Sequence, residues 1–371
     1  MKKISVYTKT GNRAATTYYR IYQYLKDFPG EIHYHKMLSD KMYMKVMPIY
    51  TKPLHVKIIV FIYTYFRVLF QKSCEEHPEY QNLIWKPDVI ILSRRFINRL
   101  MPLSYKLILN RFNSKGTQFF WDIDDNIIET KEVRKVDFYY LSDIANTIIV
   151  AGINNKLMLH PKYQNKAIIL STTDGDMYSK YNIEIQNWRL EKYKTTIYII
   201  WVGTSVSLEY VEKICPQLEQ AADLLHNEKE LVLKVISNLP LKYKSSKFKI
   251  INIKWERDIA INEMLHSHIG IMPLSDSIKN QGKGGFKLIQ YLSVGLPVIG
   301  SDIGINDEII DETVGFKTEK LTSNQWSDAV NILGTDAKKW LEFSTNSFEK
   351  WNKIYSFNRN LRTWQNLLSK K

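Results

Sequence analysis

Cysteine is almost missing from this chain. Cys74 and Cys215 are the only two in 371 residues. Two cysteines exclude a disulfide framework and a cysteine-based metal site, and they fit a reducing compartment. Long hydrophobic runs are missing too. The most apolar stretch, Ile58 to Phe66, is nine residues between Lys57 and Arg67, too short to cross a bilayer. The N-terminus, MKKISVYTKT, has a charge pair but no apolar segment long enough for a signal peptide. These features predict a cytoplasmic protein that meets a membrane only at its surface. Basic runs longer than three residues, a zinc signature and a helix-turn-helix pattern are all missing. The net charge of +14 therefore points away from nucleic acid and toward a polyanionic ligand or an anionic membrane surface.

What is present suits a folded α/β protein. Hydrophobic residues make up 44% and aromatics 13%, which argues against disorder. The length allows two domains. KISVYT (3–8) predicts a first strand, followed by the loop KTGNRAATT and a helix from Thr16 to Lys26. Residues 31–56 show no clear pattern. Residues 56–72 predict a helix too uniformly apolar to face water, with burial in the core preferred over a membrane contact. Strands follow at 87–93, 116–125, 143–152 (after a helix end) and 165–172, with a helix over 97–114. Residues 175–194 are polar and aperiodic and read as a seam. The alternation then restarts with TTIYIIWV (195–202), a helical stretch 206–226 divided at Pro216, strands at 231–237 and 248–253, and a helix over 257–267. Strands alternating with helices predict parallel sheets, hence two doubly wound domains with a ligand cleft between them.

The chemistry concentrates in IGIMPLSDSIKNQGKGGFKLIQYLSVGLPVIGSDIGINDEII (269–311). A strand ends at Pro273. A loop carries Gly282, Lys283, Gly284 and Gly285, and a helix runs from Phe286 to about Val294. The loop amides and the helix N-terminus favour an anion. Lys283, Lys287 and Gln290 share one face if the helix includes its first turn. The residues alone leave two readings open, a phosphate site or a tight turn with solvated lysines. Asp122, Asp124 and Asp125 close the strand GTQFFWDIDD, at a carboxyl end where α/β ligands bind. Asp125 equally suits a helix cap. His266 and His268 read as structural rather than metal-binding. Trp255 reads as part of a hydrophobic cluster. Arg20 and Arg95 suit either a cleft or the surface.

The segment GKGGFKLIQYLSVGLPVIGSDIGINDEII resembles the donor-binding segment of group 1 glycosyltransferases (glycosyltransferase family 4). The family pattern is a glycine-phenylalanine turn, a helix, G-x-P-V-[IV]-x-[ST]-D-x-G and an E-I-[IV] tail. Here these are Gly285-Phe286, Gly295 to Gly304 and Glu308-Ile309-Ile310. IIWVGT (199–204) is similar to the opening of the family's C-terminal domain. YYRIYQYL (18–25), FFWDIDDNI (119–127) and IIVAGINNKL (148–157) resemble stretches of one branch.

The resemblance implies the GT-B fold, with two facing Rossmann-like domains and an interdomain cleft. The expected bounds are 1–190 for an acceptor-side domain, 191–345 for a donor domain, and a C-terminal helix, 346–371, packing back on the first. It implies a retaining transfer from a nucleotide-diphosphate sugar to a glycan or lipid-linked glycan, as in cell-surface polysaccharide assembly. No metal or other cofactor is expected. Gly203, Thr204, Gly284, Gly285, Phe286 and Lys287 fall near the diphosphate, Gln290 at the ribose hydroxyls, and Lys283 and Lys287 against the leaving charge. Asp122 and Asp124 fall on the acceptor side. The family often has two acids eight residues apart, where this chain has Gly282 and Gln290. That departure keeps a catalytically inactive binding protein as an alternative. A haloacid-dehalogenase-like phosphatase with Asp122 as nucleophile is another, although Asn126 stands where that pattern expects Thr or Val.

Overall fold

The computed structural model describes residues 1–9, 15–36, 53–70, 85–94, 101, 103–225 and 228–369. Loop residues 10–14, Cys74 and Arg95, on which sequence readings fell, lie outside the described residues. The chain divides into two compact units. One comprises Met1–Thr172, Gly282–Gly284 and Asn360–Lys371, and the other Thr173–Gln281 and Gly285–Arg359.

The first unit is built on six strands: β1 (Lys2–Thr8), β2 (Gly30–Lys36), β3 (Val89–Ser93), β4 (Gln118–Ile123), β5 (Thr147–Val150) and β6 (Ala167–Ile169). Their order is β2-β1-β3-β4-β5-β6 and every pairing is parallel. Parallel strands need crossovers, and the crossovers cover both faces. VIILS and FFW are therefore apolar at successive positions. Ile90, Leu92, Phe119 and Trp121 turn to a core shared with Leu109, Phe112, Phe138 and Leu141, while Val89, Ile91 and Phe120 are buried on alternate positions. The sequence pattern misses β2 because GEIHYHK is an edge strand, half-buried and paired only with β1. The helical stretch Ala15–Leu25 contains a π turn at Tyr18–Tyr22. Within the helix Leu54–Phe70, the side chains described, up to Ile62, correct the expectation of burial. Leu54, Ile58, Ile59, Phe61 and Ile62 are between 40% and 73% exposed.

The second unit holds β7 (Thr196–Val202), β8 (Glu230–Ser237), β9 (Lys249–Lys254), β10 (Ile269–Met272), β11 (Val298–Ser301) and β12 (Gly315–Thr318). Their order is β12-β11-β10-β7-β8-β9, again all parallel. Read from β9, this is the 3-2-1-4-5-6 order of a doubly wound nucleotide-binding sheet. Ile197, Ile199 and Trp201 face one core, and Ile200 and Val202 the other. Pro216 does not divide its helix. Leu208–Leu225 runs through it, because a buried stripe including Val211, Ile214, Leu218, Ala221 and Leu225 outweighs the roughly 3 kcal/mol that an interior proline costs. The polar seam also holds a helix, Ile183–Tyr193, capped where Asn182 Oδ1 accepts from the Ile185 amide at 3.1 Å. Trp255 is 46% exposed and joins no hydrophobic cluster, contrary to expectation. Among the described residues, no helix is long and apolar enough to cross a membrane.

Candidate functional site

The order of the second sheet reverses between β7 and β10. Connections leaving these neighbours diverge to opposite faces, which opens a crevice at their carboxyl ends. Two of the sequence's candidate segments are placed there by topology alone: Gly203-Thr204 directly after β7, and the helix Phe286–Ser293, which follows β10 through the loop from Pro273.

Tight packing fixes that corner. A Cβ on Gly203 would lie 2.6 Å from the Trp201 ring and 3.0 Å from Lys287 Cε, so glycine is required there by close approach. The Lys287 ammonium sits 5.3 Å from the centroid of the Trp201 ring, a cation–π distance. Tyr291 binds helix to strand, since the Val202 amide donates to its hydroxyl at 3.1 Å. Its ring lies where a Cβ on Gly270 would be, at 2.4 Å. Burial pushes the Tyr291 phenol above its ordinary range, so it stays neutral as an acceptor. Lys287 thus projects from the first turn of its helix beside the Gly203 backbone.

Gly285 caps this helix in the left-handed conformation, φ 67°, and contributes no side-chain capping bond. A Cβ there would strike Ile309 at 2.5 Å. The helix N-terminus thereby presents backbone and partial positive charge. Phe286 and Lys287 are half-buried, Gln290 is buried and Thr204 exposed. The Ser205 amide, one residue on, is held by Asn238 Oδ1 at 2.8 Å. Gly203, Thr204, Gly285, Phe286, Lys287 and Gln290 all belong to this unit.

The remaining candidates belong to the first unit. Asp122, read as catalytic, lies 1% exposed. Arg20 donates from Nε to both of its oxygens at 2.9 Å and from Nη2 to Oδ1 at 2.7 Å. Arg20 Nη1 reaches the Leu170 carbonyl and Thr172 Oγ1, both at 2.9 Å. Burial opposes the Arg20 charge, but Asp122 more than restores it, and its pKa is raised. A carboxylate held this way is an internal anchor. It cannot attack a phosphate or receive an acceptor proton, so the phosphatase alternative loses its nucleophile.

Asp124 and Asp125 instead meet Arg94, which follows β3. Arg94 Nη1 lies 3.1 Å from Asp124 and 2.9 Å from Asp125, and Nη2 2.5 Å from Glu132. Its backbone is left-handed, φ 36°, held by its amide bond to the Asp122 carbonyl at 2.6 Å and by Trp121 Nε1 donating to its own carbonyl at 3.1 Å. Such an outlier costs about 1–3 kcal/mol. Burial raises Asp125 to about 6, with Arg94 opposing and Asp124 and Glu132 reinforcing. Lys283 lies near enough to Asp125 to act against that rise. Gly282 accepts from Asn155 Nδ2 at 2.8 Å. A Cβ on Gly284 would lie 2.9 Å from both Ala151 Cβ and the Asp124 carbonyl. Lys283 and Gly284 are thus grouped with Asp124.

The histidines serve the fold. His268 Nδ1 accepts from the Tyr198 amide at 2.9 Å, so its Nε2 carries the proton, 3.0 Å from the Arg189 carbonyl. Burial lowers its pKa to about 3. Among the described residues, no group of three or more His, Cys, Asp or Glu could hold a metal ion. Sequence reading missed Arg94, Trp201 and Arg189. Arg189 is fully buried with no carboxylate among its hydrogen-bond acceptors. It donates to the carbonyls of Leu265 (2.7 Å), Met264 (3.0 Å), Val294 (2.7 Å) and Gly295 (3.3 Å). These are the C-terminal ends of the helices Arg257–Leu265 and Phe286–Ser293, whose dipoles stand in for an acid. Its only sequence signal is an arginine in a segment that otherwise looks like linker.

No family model and no curated protein matches this chain. Solved structures do match its fold. HepE from Anabaena, in complex with UDP and glucose, superposes with a TM-score of 0.66 at 11% identity over 100% of both chains. Sucrose-phosphate synthase from Thermosynechococcus elongatus gives 0.64 at 8% identity, over 99% of this chain and 98% of that one. A glycosyltransferase from Rickettsia africae ESF-5 gives 0.63 at 14%, over 99% and 98%. The chain has the two-Rossmann-unit GT-B fold.

Proposed function

We propose that this protein is a retaining glycosyltransferase. It moves a sugar from a nucleotide-diphosphate sugar to a hydroxyl of a glycan or lipid-linked glycan, in cell-surface polysaccharide assembly. The observation that carries the reading is Lys287, on the first turn of its helix, beside the Gly203 backbone at the switch point of a doubly wound sheet. In the transfer the bond from the sugar's anomeric carbon to the diphosphate breaks, and the diphosphate leaves with the electron pair. The acceptor oxygen bonds on the same face of the sugar, and its proton passes to the leaving phosphate oxygen. The ammonium of Lys287 and the amides after Gly203 and Gly285 would stabilise the charge that develops on the diphosphate. Lys283 would add a second cation. Gln290 both donates and accepts, which suits ribose hydroxyls. No metal is needed in this scheme, because fixed cations and helix dipoles supply the positive charge.

The fold comparison supports the donor class, since HepE has been solved with UDP and with UDP-glucose. Asp124, with Arg94 and Asp125, would line the acceptor side. Asp122 would act only by holding that loop. The net charge of +14 supports work at the inner face of an anionic membrane, as a peripheral protein.

A screen of UDP-, GDP- and ADP-sugars by thermal shift, followed by transfer assays with the donor that binds, tests the proposal. Stabilisation by one donor class, reduced in Lys287→Ala, is expected. No shift with any donor refutes it. Binding without turnover on any glycan acceptor favours the inactive binding protein, which the glycine and glutamine at 282 and 290 would explain.

A further inference from the structure

The helices Leu103–Ser114 and Lys135–Ile144 lie side by side in the first unit. The Tyr140 hydroxyl donates to the Lys106 carbonyl and to Asn110 Oδ1, both at 2.9 Å. The Lys106 ammonium sits 5.0 Å from the centroid of the Tyr140 ring. Apolar side chains stand in water beside these contacts. Leu103 is 72% exposed, Leu107 61% and Val136 59%. Leu103 and Leu107 are four residues apart and share a helix face with Lys106, Asn110 and Arg111. Val136 and Tyr140 are four apart on the neighbouring helix, so the bonds of Tyr140 join the two faces into one patch. Single exposed leucines are ordinary, whereas an apolar group spread over two adjoining helices marks a contact surface.

The charge of the patch selects its occupant. Residues 103–115 hold three cations, Lys106, Arg111 and Lys115, and no acid. Arg111, Lys115 and Lys135 are exposed. The acids of the second helix are already engaged. Asp137 is buried, with Lys106 at 2.7 Å and Arg134 at 2.6 Å. Asp143 is held by Lys162 at 3.1 Å and by the Tyr163 hydroxyl at 2.7 Å. What the patch offers is therefore leucine, valine and positive charge. A second copy in a two-fold contact would set these cations against themselves, and a small soluble anion would leave the leucines bare. A leaflet with anionic headgroups answers both, since acyl chains take the apolar side chains and phosphates take the cations. Tyr140, apolar in its ring and polar at its tip, suits the boundary between them.

We propose that the outer face of Leu103–Ser114 and Lys135–Ile144, centred on Leu107 and Val136, docks the first unit on an anionic lipid surface. The face gives the peripheral role proposed above a specific surface and rests on that role, not on the donor chemistry. Insertion of the apolar side chains is insensitive to salt, while attraction of Arg111, Lys115 and Lys135 fades as salt shortens the Debye length.

The test is co-sedimentation of the full chain with phosphatidylglycerol-containing vesicles and with phosphatidylcholine vesicles. The native protein is compared with Leu107→Glu/Val136→Glu and with Arg111→Gln/Lys135→Gln. All four positions are exposed, so both variants should keep the native melting temperature. Expected is binding to the anionic vesicles alone, weakened by 0.5 M salt. The glutamate variant should bind about tenfold more weakly or worse, and the glutamine variant about 25-fold, at roughly fivefold for each cation lost. A native protein that stays in the supernatant at low salt overturns the proposal, as does either variant binding like the native chain. So does a dimer that Leu107→Glu/Val136→Glu disrupts, seen by sedimentation equilibrium without vesicle binding. The thermal shift with nucleotide sugar, run on the same samples, separates the two claims. A lost shift with vesicle binding intact would refute the enzyme reading and leave the docking face standing.

Discussion

Replacing Arg189 with methionine should destabilise the second unit severely, although no acid loses a partner. Methionine fills similar apolar volume and removes all the donors. The carbonyls of Met264, Leu265 and Val294 then lose the guanidinium, while Gly295 keeps the Ser344 hydroxyl at 2.6 Å. Each buried acceptor left unsatisfied costs about 1–3 kcal/mol. Relief from burying a charge offsets part of the sum, since burial already lowers the Arg189 pKa to about 10. Breaking a buried charged network costs about 3–5 kcal/mol overall. For a unit of this size each kcal/mol moves the midpoint by roughly 2–4 °C. Arg189→Met should therefore lower the Tm by about 6–20 °C, read by circular dichroism at neutral pH. Arg189→Lys should fall between, because one ammonium cannot serve two helix ends in the planar fork of a guanidinium. A Tm drop under about 2 °C for the methionine variant would refute the idea that two helix termini depend on this side chain.

Other outcomes follow from the same geometry. Lys287→Ala should cost tenfold to about a hundredfold in kcat/KM, one charge-assisted hydrogen bond being worth about 1.5–3 kcal/mol; a loss below threefold would remove Lys287 from the site. Gly203→Ala drives a methyl into the Trp201 ring and Lys287, and should weaken nucleotide-sugar affinity about as much, measured by calorimetry, with the far-ultraviolet spectrum retained. Arg20→Met and Asp122→Asn should each cost about 3–5 kcal/mol in urea unfolding, and the double variant much less than their sum, because the second change removes the charge that the first left buried. His268 is neutral when folded, with its pKa lowered to about 3. The unfolded chain takes up its proton below about pH 6.5, so its contribution is present above that pH and is lost as pH falls toward 3. His268→Gln should show a shallower loss of stability over that window; identical slopes would refute the neutral assignment.

The sheets were legible because parallel strands buried on both faces leave unbroken apolar runs, as in VIILS and TIYIIWV. Gly203 was singled out only through the family resemblance of IIWVGT, whereas the turn at Gly285 was legible in its run of glycines before a helix. β2 was not, since an edge strand buries only part of itself. The partners of Arg20 were not, because Asp122 and Leu170 lie 102 and 150 residues away, beyond any local pattern. Asp122 misled for that reason, its position at a strand end being shared by site acids and internal anchors. Pro216 misled because propensity is local, while the buried stripe that overrides it is tertiary.

The C-terminal stretch has a consequence for how the chain is made. Asn360 donates to the Tyr24 hydroxyl at 3.1 Å and to the Ser171 carbonyl at 2.7 Å, and Trp364 stacks near Tyr24. The first unit thus draws part of its packing from residues at and beyond Asn360, which follow the whole sequence of the second unit. The second unit, ending at Arg359, has its whole sequence synthesised sooner. The unit that begins first must finish last, and it waits with an open side through the translation of nearly two hundred residues. A chain cut back to Arg359 would keep every residue of the second unit and leave Tyr24 and the Ser171 carbonyl without Asn360, so the loss of stability should fall on the first unit.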